Sequence, residues 1–409
     1  MAKILNVYLH YDRVGELIMD DNGQMVFDYA DHWLNNPNAS PLSHSLPLQK
    51  ERFPRKICRG FFAGILPEES KREMVARNLG ISKANDFAML EQIGGECAGA
   101  VTFIPAGEAL PTYDFKYRPL TDSELLHILE LLPRQPLMAG EDGVRLSLAG
   151  AQDKIAVHVD GDKISIPLGG TPSTHILKPA IERFEGLVFN EAFCMTLAAK
   201  VGLPVAKVET RKVGDVDYLL VERYDRHIDA EGTVHRLHQE DFCQALGVAS
   251  ENKYQTEGGP NLKDCFALIR AASSRPVVDL AHLLDAVIFN LLVGNHDAHG
   301  KNFSLIYQGK NTRLAPLYDL VSTVYYPELT KKMAMKIGKE PESNKIMPEH
   351  FERLAEDAGL AKPMVRKRVP ELAEKTRVQL ENIDIDHPMT DKLADMIAAR
   401  CELVLDRFR

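Results

Sequence analysis

At 409 residues the chain is long enough for two or three domains, or for one two-lobed enzyme with an added module. Apolar residues make up 45% and charged residues 26%, which excludes a disordered or collagen-like chain. The formal charge of -9 argues against large unaided phosphate neutralisation, so any DNA contact is expected to be indirect or confined to a local basic patch.

Six scattered cysteines, Cys58, Cys97, Cys194, Cys243, Cys265 and Cys401, form no C-x-x-C pair and are expected to be reduced and buried, as in a cytoplasmic protein. The opening Met-Ala-Lys-Ile-Leu-Asn-Val-Tyr lacks the pattern of a secretory signal. The longest apolar stretch, Val277 to Gly294, is interrupted by Asp279, His282, Asp285 and Asn290, so it is expected to be a buried helix and not a membrane span.

In chain order, Ile4 to Tyr29 alternates apolar and polar residues around an Asp21-Asn22-Gly23 turn, which predicts antiparallel strands. Helices are expected near Glu68 to Leu79, Lys83 to Ile93 and Asp122 to Leu132, the last capped by Thr121, and Pro133 to Gly143 reads as a boundary. Strands follow at Val144 to Leu148, Lys154 to Val159, Lys163 to Pro167 and His175 to Lys178. Then come a helix from Gly186 to Val201, closed by Gly202 and Pro204, and strands at Ala206 to Arg211 and Tyr218 to Arg223. Beyond His238, helices are expected at Gln239 to Leu246, Leu262 to Ala272 and Val277 to Leu292, then two short strands, Asn302 to Tyr307 and Thr312 to Leu317. Three helices close the chain, at Pro348 to Ala358, Pro363 to Leu380 and Thr390 to Leu405. A mixed part followed by a helical part predicts an α+β two-lobed fold, divided at residues 1–135, 136–225 and 226–409.

The sharpest constellation is Gly294-Asn295-His296-Asp297-Ala298-His299-Gly300-Lys301-Asn302, with Tyr318-Asp319-Leu320 downstream. In phosphoryl transfer a carboxylate orients the attacking hydroxyl, while an Asn a few residues later and a second Asp hold a hard cation through oxygen. The spacing His-Asp-x4-Asn gives those parts to Asp297, Asn302 and Asp319. An ordinary turn or helix cap uses the same residue types, and His296, Asp297 and His299 leave a zinc site open as an alternative.

Upstream, Leu148-Ala149-Gly150-Ala151-Gln152-Asp153-Lys154 joins apolar runs through small residues that let backbone amides approach phosphates, although it also fits a simple hairpin turn. It is neither a Walker A loop nor a G-x-G-x-x-G loop. Lys178 ends an apolar strand and is expected to aim its ammonium into a cleft, with Glu191 as a partner, or else to be a solvated strand end. Val221-Glu222-Arg223-Tyr224-Asp225 closes the last strand, either as an adenine-contacting linker or as a plain edge. The run Lys331 to Lys336 reads as a solvated strand face.

These segments together resemble the HipA family of kinase toxins, most specifically Leu146-Ser147-Leu148-Ala149-Gly150-Ala151-Gln152-Asp153-Lys154, His175-Ile176-Leu177-Lys178-Pro179 and Asn295 to Asn302. The resemblance implies a protein-kinase-like fold with an extra N-terminal subdomain, and ATP with Mg2+ as cofactors. It implies Asp297 as catalytic base, Asn302 and Asp319 as metal ligands, and Ser147 as an autophosphorylated, self-silencing serine. It further implies nucleotide binding through Ala149, Gly150, Ala151, Gln152, Asp153, Lys154, Lys178, Glu222, Arg223, Tyr224, His299, Asn302, Tyr318 and Asp319. Departures from ordinary kinases are the missing glycine after Asp319 and Lys301 directly before Asn302. The implied partners are a HipB-like antitoxin, operator DNA reached through it, and a protein substrate such as glutamyl-tRNA synthetase, with no membrane partner. The implied location is the cytoplasm, on the nucleoid when in the antitoxin complex. Two alternatives stay open, a catalytically silent nucleotide-binding corepressor and a nucleotidyl transferase.

Overall fold

A computed structural model of the chain describes residues 3–21, 23–110 and 115–409. It divides into two compact units, one of Met1–Pro179, Arg211–Glu251 and Ile306–Lys310, the other of Ala180–Thr210, Asn252–Leu305 and Asn311–Arg409.

The first unit opens with the expected antiparallel strands, β1 (Lys3–Leu9), β2 (Asp12–Met19) and β3 (Met25–Tyr29). Asn22, the centre of the expected turn, lies outside the described residues. A fourth strand that the sequence did not announce, β4 (Val101–Pro105), completes a sheet of order β3-β2-β1-β4. In β1 the period of two turns Leu5, Val7 and Leu9 inward.

Also unannounced is the helix Arg55–Gly64. Its two glycines read as helix breakers, yet Gly60 is required by packing: a Cβ there would stand 2.4 Å from the backbone carbon of Gly247. The helices Glu69–Asn78, Asp86–Ile93 and Asp122–Leu131 form as expected, and Thr121 with Glu124 makes a capping box on the last.

A six-stranded sheet follows, built from β5 (Lys116–Pro119), β6 (Ile155–Asp160), β7 (Lys163–Leu168), β8 (His175–Pro179), β9 (Val208–Val213) and β10 (Val216–Glu222), in the order β5-β7-β6-β8-β10-β9. β8 lies antiparallel between β6 and β10, with Leu177 opposite Ile155 and Lys178 opposite Leu219. One hydrophobic cluster runs from Leu5, Phe27 and Phe62 through Leu137 and Met138 to Ile155, Leu177 and Leu220. The segment expected as a boundary, Pro133 to Gly143, therefore contributes buried side chains to this core.

Val144 to Leu148 does not form the expected strand. Its only bridge among the described residues is Leu146 to Glu96, made by Glu96 N–H to Arg145 O (2.8 Å) and Ser147 N–H to Glu96 O (2.9 Å). The Glu96 carboxylate is fully buried and gathers Arg223 (3.0 Å), Arg226 (2.7 Å), Arg236 (2.5 Å) and the amide and hydroxyl of Ser173 (2.9 and 2.8 Å). Asp225 adds a second carboxylate, 2.8 Å from Arg223 and 3.0 Å from Arg226. Burial pushes the Glu96 pKa up, but Arg226, Arg236 and Arg223 together hold it below the ordinary value.

A second buried polar group surrounds Glu240, which accepts from the Ser43 and Tyr307 hydroxyls and from His44 N–H (2.9 Å). Burial, only partly offset by those donors, lifts Glu240 to about 7. Burial lowers neighbouring His238 to about 4, its Nε2 bonding Leu42 O at 2.8 Å. The helix expected at Gln239 to Leu246 is a strand, His238–Asp241, then a short helix, Phe242–Ala245, because Asp241 and Gln244 form a capping box that starts the helix late.

The second unit is mostly helical, and each of its helices forms close to where it was expected: Leu187–Val201, Leu262–Ala272, Pro276–Val293, Pro348–Ala358, Lys362–Gln379 and Met389–Arg407. Pro276–Val293 has the length and apolarity of a membrane span but is largely buried inside the protein. Its polar residues are matched there, Asp279 by Arg313 (2.8 Å), Asp285 by Arg368 (2.7 Å) and Asn290 by Asn295 (2.8 Å). Arg400 closes its C-terminus, donating to Leu291 O (2.6 Å) and Leu292 O (3.1 Å). Lys332–Ile337 is a strand whose lysines alternate with buried Met333, Met335 and Ile337, the solvated face expected of that run. All six cysteines are free and buried.

Glu96→Gln takes the charged partner from Arg236 and leaves the buried Arg223 and Arg226 sharing Asp225 alone, and is expected to destabilise the protein by about 3–5 kcal/mol, read by urea unfolding. Glu240 carries its proton in the folded state from its ordinary value of 4.5 up to about 7, so its stabilising effect is lost as pH rises across that window. His238 acts oppositely, its effect being lost as pH falls from 6.5 towards about 4. Glu240→Gln should therefore gain stability relative to the parent as pH rises from about 4.5 to 7, measured as thermal midpoints across a pH series.

Candidate active site

In the helical unit the loop after Pro276–Val293 is built on His296. Its Nδ1 is 3.0 Å from Thr330 O and its Nε2 2.7 Å from Ser343 Oγ. Its N–H donates to Thr323 Oγ1 (2.8 Å) and its carbonyl accepts from Ala334 N–H (2.7 Å). Burial lowers its pKa, and with both ring nitrogens engaged it is an anchor and not a zinc ligand. The zinc alternative is set aside on that geometry.

Asp297, beside this anchor, is exposed. Its N–H donates to Asn295 Oδ1 (3.1 Å) and its Oδ1 accepts from the Tyr254 hydroxyl (2.8 Å). Residues Gly300–Asn302 form a 3-10 turn, and the following strand starts at Ser304 where Asn302 was expected to start it. The turn is closed by His299 N–H to Asn302 Oδ1 (3.1 Å) and Asn302 N–H to His299 O (3.0 Å).

Asn302 Nδ2 lies 2.9 Å from Asp319 Oδ2, so the structure brings the two expected metal ligands together. Asp319 lies beyond the strand that was expected to run from Thr312 to Leu317. The strand stops at Leu314, because Leu317 bridges Val205 in parallel fashion, through Ala206 N–H to Leu317 O (2.9 Å). Asp319 then takes φ +58, a conformation uncommon outside glycine that Asp and Asn tolerate best. Tyr318 bonds Lys301 O (2.7 Å) and Ser304 Oγ (2.7 Å), tying the Asp319 segment to the 3-10 turn.

Among the described residues no three His, Cys, Asp or Glu side chains gather around a metal position. A magnesium site does not need three, since that ion is held by one or two side-chain oxygens with phosphates and water supplying the rest. The Asn302 and Asp319 pair fits that donor set.

In the first unit Ala149 to Lys154 forms a stitched loop. Lys154 Nζ donates to Ala149 O (2.7 Å), Lys71 pairs with Asp153 (2.5 Å) and Glu68 N–H donates to Gly150 O (3.2 Å). Gly150 has φ +111, and a Cβ there would lie 2.6 Å from Lys154 Nζ. Lys178 is buried on β8.

Ser147 is fully buried, its hydroxyl donating to Ile65 O at 3.0 Å. Glu222 is exposed and Tyr224 bonds Gln239 (2.7 Å). Arg223 is committed inward: its side chain joins Glu96 and Asp225, its N–H donates to Thr174 O (2.9 Å) and its carbonyl accepts from Arg226 N–H (3.1 Å). It acts on the linker by fixing it. Sequence reasoning missed Glu96 and Tyr254, and it quoted Asn295 in the motif without giving it a role. Tyr254 stands 43 residues before Asp297 in a segment without any motif, so no local signal pointed to it.

The HipA N-terminal domain model matches residues 5–104 and the HipA-like C-terminal domain model residues 146–380. A putative kinase, Y4mE, of Sinorhizobium fredii is 48% identical over 98% of this chain and 99% of its own length. The serine/threonine-protein kinase toxin HipA of Shewanella oneidensis is 32% identical over 99% of this chain and 97% of its own. A solved structure of Shewanella oneidensis HipA, in complex with HipB and operator DNA, superposes with a TM-score of 0.84 at 30% identity, covering 99% of this chain and 96% of that one. With both domain models matched in order and full-length likeness in sequence and α+β fold, the chain belongs to the HipA family of serine/threonine-protein kinase toxins.

Proposed function

We propose that the protein transfers the γ-phosphate of ATP to a serine hydroxyl, with Asp297 as catalytic base. The serine oxygen bonds to phosphorus, the bond from phosphorus to the bridging oxygen breaks, ADP leaves, and the hydroxyl proton passes to the Asp297 carboxylate. The observation that carries this reading is the exposed Asp297 on the same loop as Asn302, itself bonded to Asp319 at 2.9 Å. Asn302 and Asp319 would hold magnesium, which when bound neutralises developing phosphate charge. Lys178 supplies a further cation, the backbone of Ala149 to Lys154 cradles phosphate, and Glu222 and Tyr224 flank the adenine, their linker fixed by Arg223. His299 and Tyr318 shape the nucleotide side of the catalytic loop. Residues 1–135, 136–225 and 226–409 serve as the N-terminal subdomain, the nucleotide-binding part and the catalytic lobe.

Within a toxin-antitoxin pair, a HipB-like antitoxin would restrain the kinase and carry it to operator DNA as corepressor. Supporting this, the related Shewanella protein was solved with HipB and its operator, and the net charge of -9 suits a chain brought to DNA by another. The substrate is a translation protein of the glutamyl-tRNA synthetase kind, modified in the cytoplasm. Autophosphorylation of Ser147 would silence the enzyme. A phosphate adds roughly -1.5 to -2 charge, which cannot replace a hydroxyl donating to the Ile65 carbonyl, so the Ser147 segment must leave its buried seat.

Asp297→Asn is expected to abolish both phosphate incorporation from Mg-ATP and growth arrest while antitoxin binding persists. Retained incorporation would remove Asp297 from the role of base, and an adenylate adduct by mass spectrometry would indicate nucleotidyl transfer. Growth arrest that survives Asp297→Asn would favour the silent corepressor reading. For Ser147→Ala, phosphopeptide mapping should show loss of the label from the 145–154 peptide and kinase activity that no longer declines with time.

A further inference from the structure

Tyr254 lies in the helical unit, in the segment that leads into the helix Leu262–Ala272. Its hydroxyl donates to Asp297 Oδ1 at 2.8 Å. Its ring meets His299 edge-on, with centroids 5.2 Å apart and planes at 79°, so one side chain contacts both ends of the Asp297 to His299 stretch. The buried Lys253 ammonium stands 5.4 Å from the ring centroid, where a cation draws electron density from the phenol and strengthens it as a donor.

The backbone beneath is fixed. The Tyr254 carbonyl accepts from Glu257 N–H and Gly259 N–H, both at 2.9 Å. The next side chain, Gln255, accepts from Lys336 N–H at 2.9 Å, which ties the segment to the strand Lys332–Ile337.

A base delivers its full effect only when its oxygen is held in line with the incoming hydroxyl. Asn295 fixes the backbone of Asp297, not its side chain. We propose that Tyr254 is a positioning residue for Asp297, its phenol holding the carboxylate plane in the orientation that receives the serine proton. This rests on the reading of Asp297 as base. A competing arrangement has the phenol in the seat of the substrate hydroxyl, since both would donate to the same carboxylate; the phenol would then have to leave before turnover.

The test compares Tyr254→Phe, Tyr254→Ala and Asp297→Asn in the full-length chain, by initial rates of labelled phosphate incorporation over a range of Mg-ATP. Loss of one hydrogen bond to a charged group corresponds to roughly a tenfold fall in the saturating rate for Tyr254→Phe, with the half-saturating ATP concentration unchanged. Tyr254→Ala should be no more impaired than Tyr254→Phe if the hydroxyl is the acting group. A parental rate in Tyr254→Phe, a faster one, or a fall that comes from weaker ATP binding would overturn the proposal. Incorporation retained by Asp297→Asn would remove the base on which it rests. An inactive Asp297→Asn beside a fully active Tyr254→Phe would overturn the role of Tyr254 alone.

Discussion

One buried carboxylate sets the geometry of the first unit of this kinase. Glu96 is surrounded by Arg223, Arg226 and Arg236, and removing any ion from such a cluster leaves another buried without its counter-charge. Its reach explains its importance. Through its main chain Glu96 holds Arg145 and Ser147, through its carboxylate it holds Ser173 before β8, and through Arg223 it holds the linker after β10. Three segments distant in sequence therefore share one anchor. Desolvation makes the arrangement costly to alter, since a guanidinium or carboxylate taken from water finds compensation only in this set of partners.

The helical unit follows a different logic, in which an apolar helix carries a few polar residues that fix what surrounds it. Asp279 draws in Arg313, Asp285 draws in Arg368, and Asn290 reaches Asn295 in the loop that follows the helix. His296, neutral and bonded through both ring nitrogens, then locks the loop so that the next residue, Asp297, faces solvent. The pattern buries histidine and exposes aspartate at adjacent positions. That inversion of a surface composition is what a loop needs if its carboxylate is to meet a substrate while its backbone stays rigid.

Ser147 and Arg223 show how tertiary contacts change the meaning of a motif residue. Ser147 resembles a strand-end hydroxyl in sequence, but it occupies no strand and points into the protein, bonded to Ile65. Arg223 lies in the linker segment and would pass for a ligand contact, yet its side chain and both backbone groups are engaged within the unit. Each is a residue whose effect on a ligand would be exerted by conformation.

The sequence by itself determined the elements whose signal is local. Alternation in β1, β2 and β3, the Thr121 capping box, and the helices Leu262–Ala272 and Pro348–Ala358 follow from periodicity and terminal residues. The motif spacing also picked out Asn302 and Asp319, which the fold brings within a hydrogen bond. Tertiary structure alone decided the rest. Gly60 serves a helix because Gly247 packs against it, Val144 to Leu148 fails as a strand because its neighbour is the Glu96 loop, and Asp319 leaves the strand because Leu317 pairs with Val205. Tyr254 reaches Asp297 across 43 residues, and Glu96 reaches Arg226 across 130. Such contacts leave no periodic trace, since they depend on which distant backbone or charge arrives beside a residue after burial and not on its neighbours in the chain.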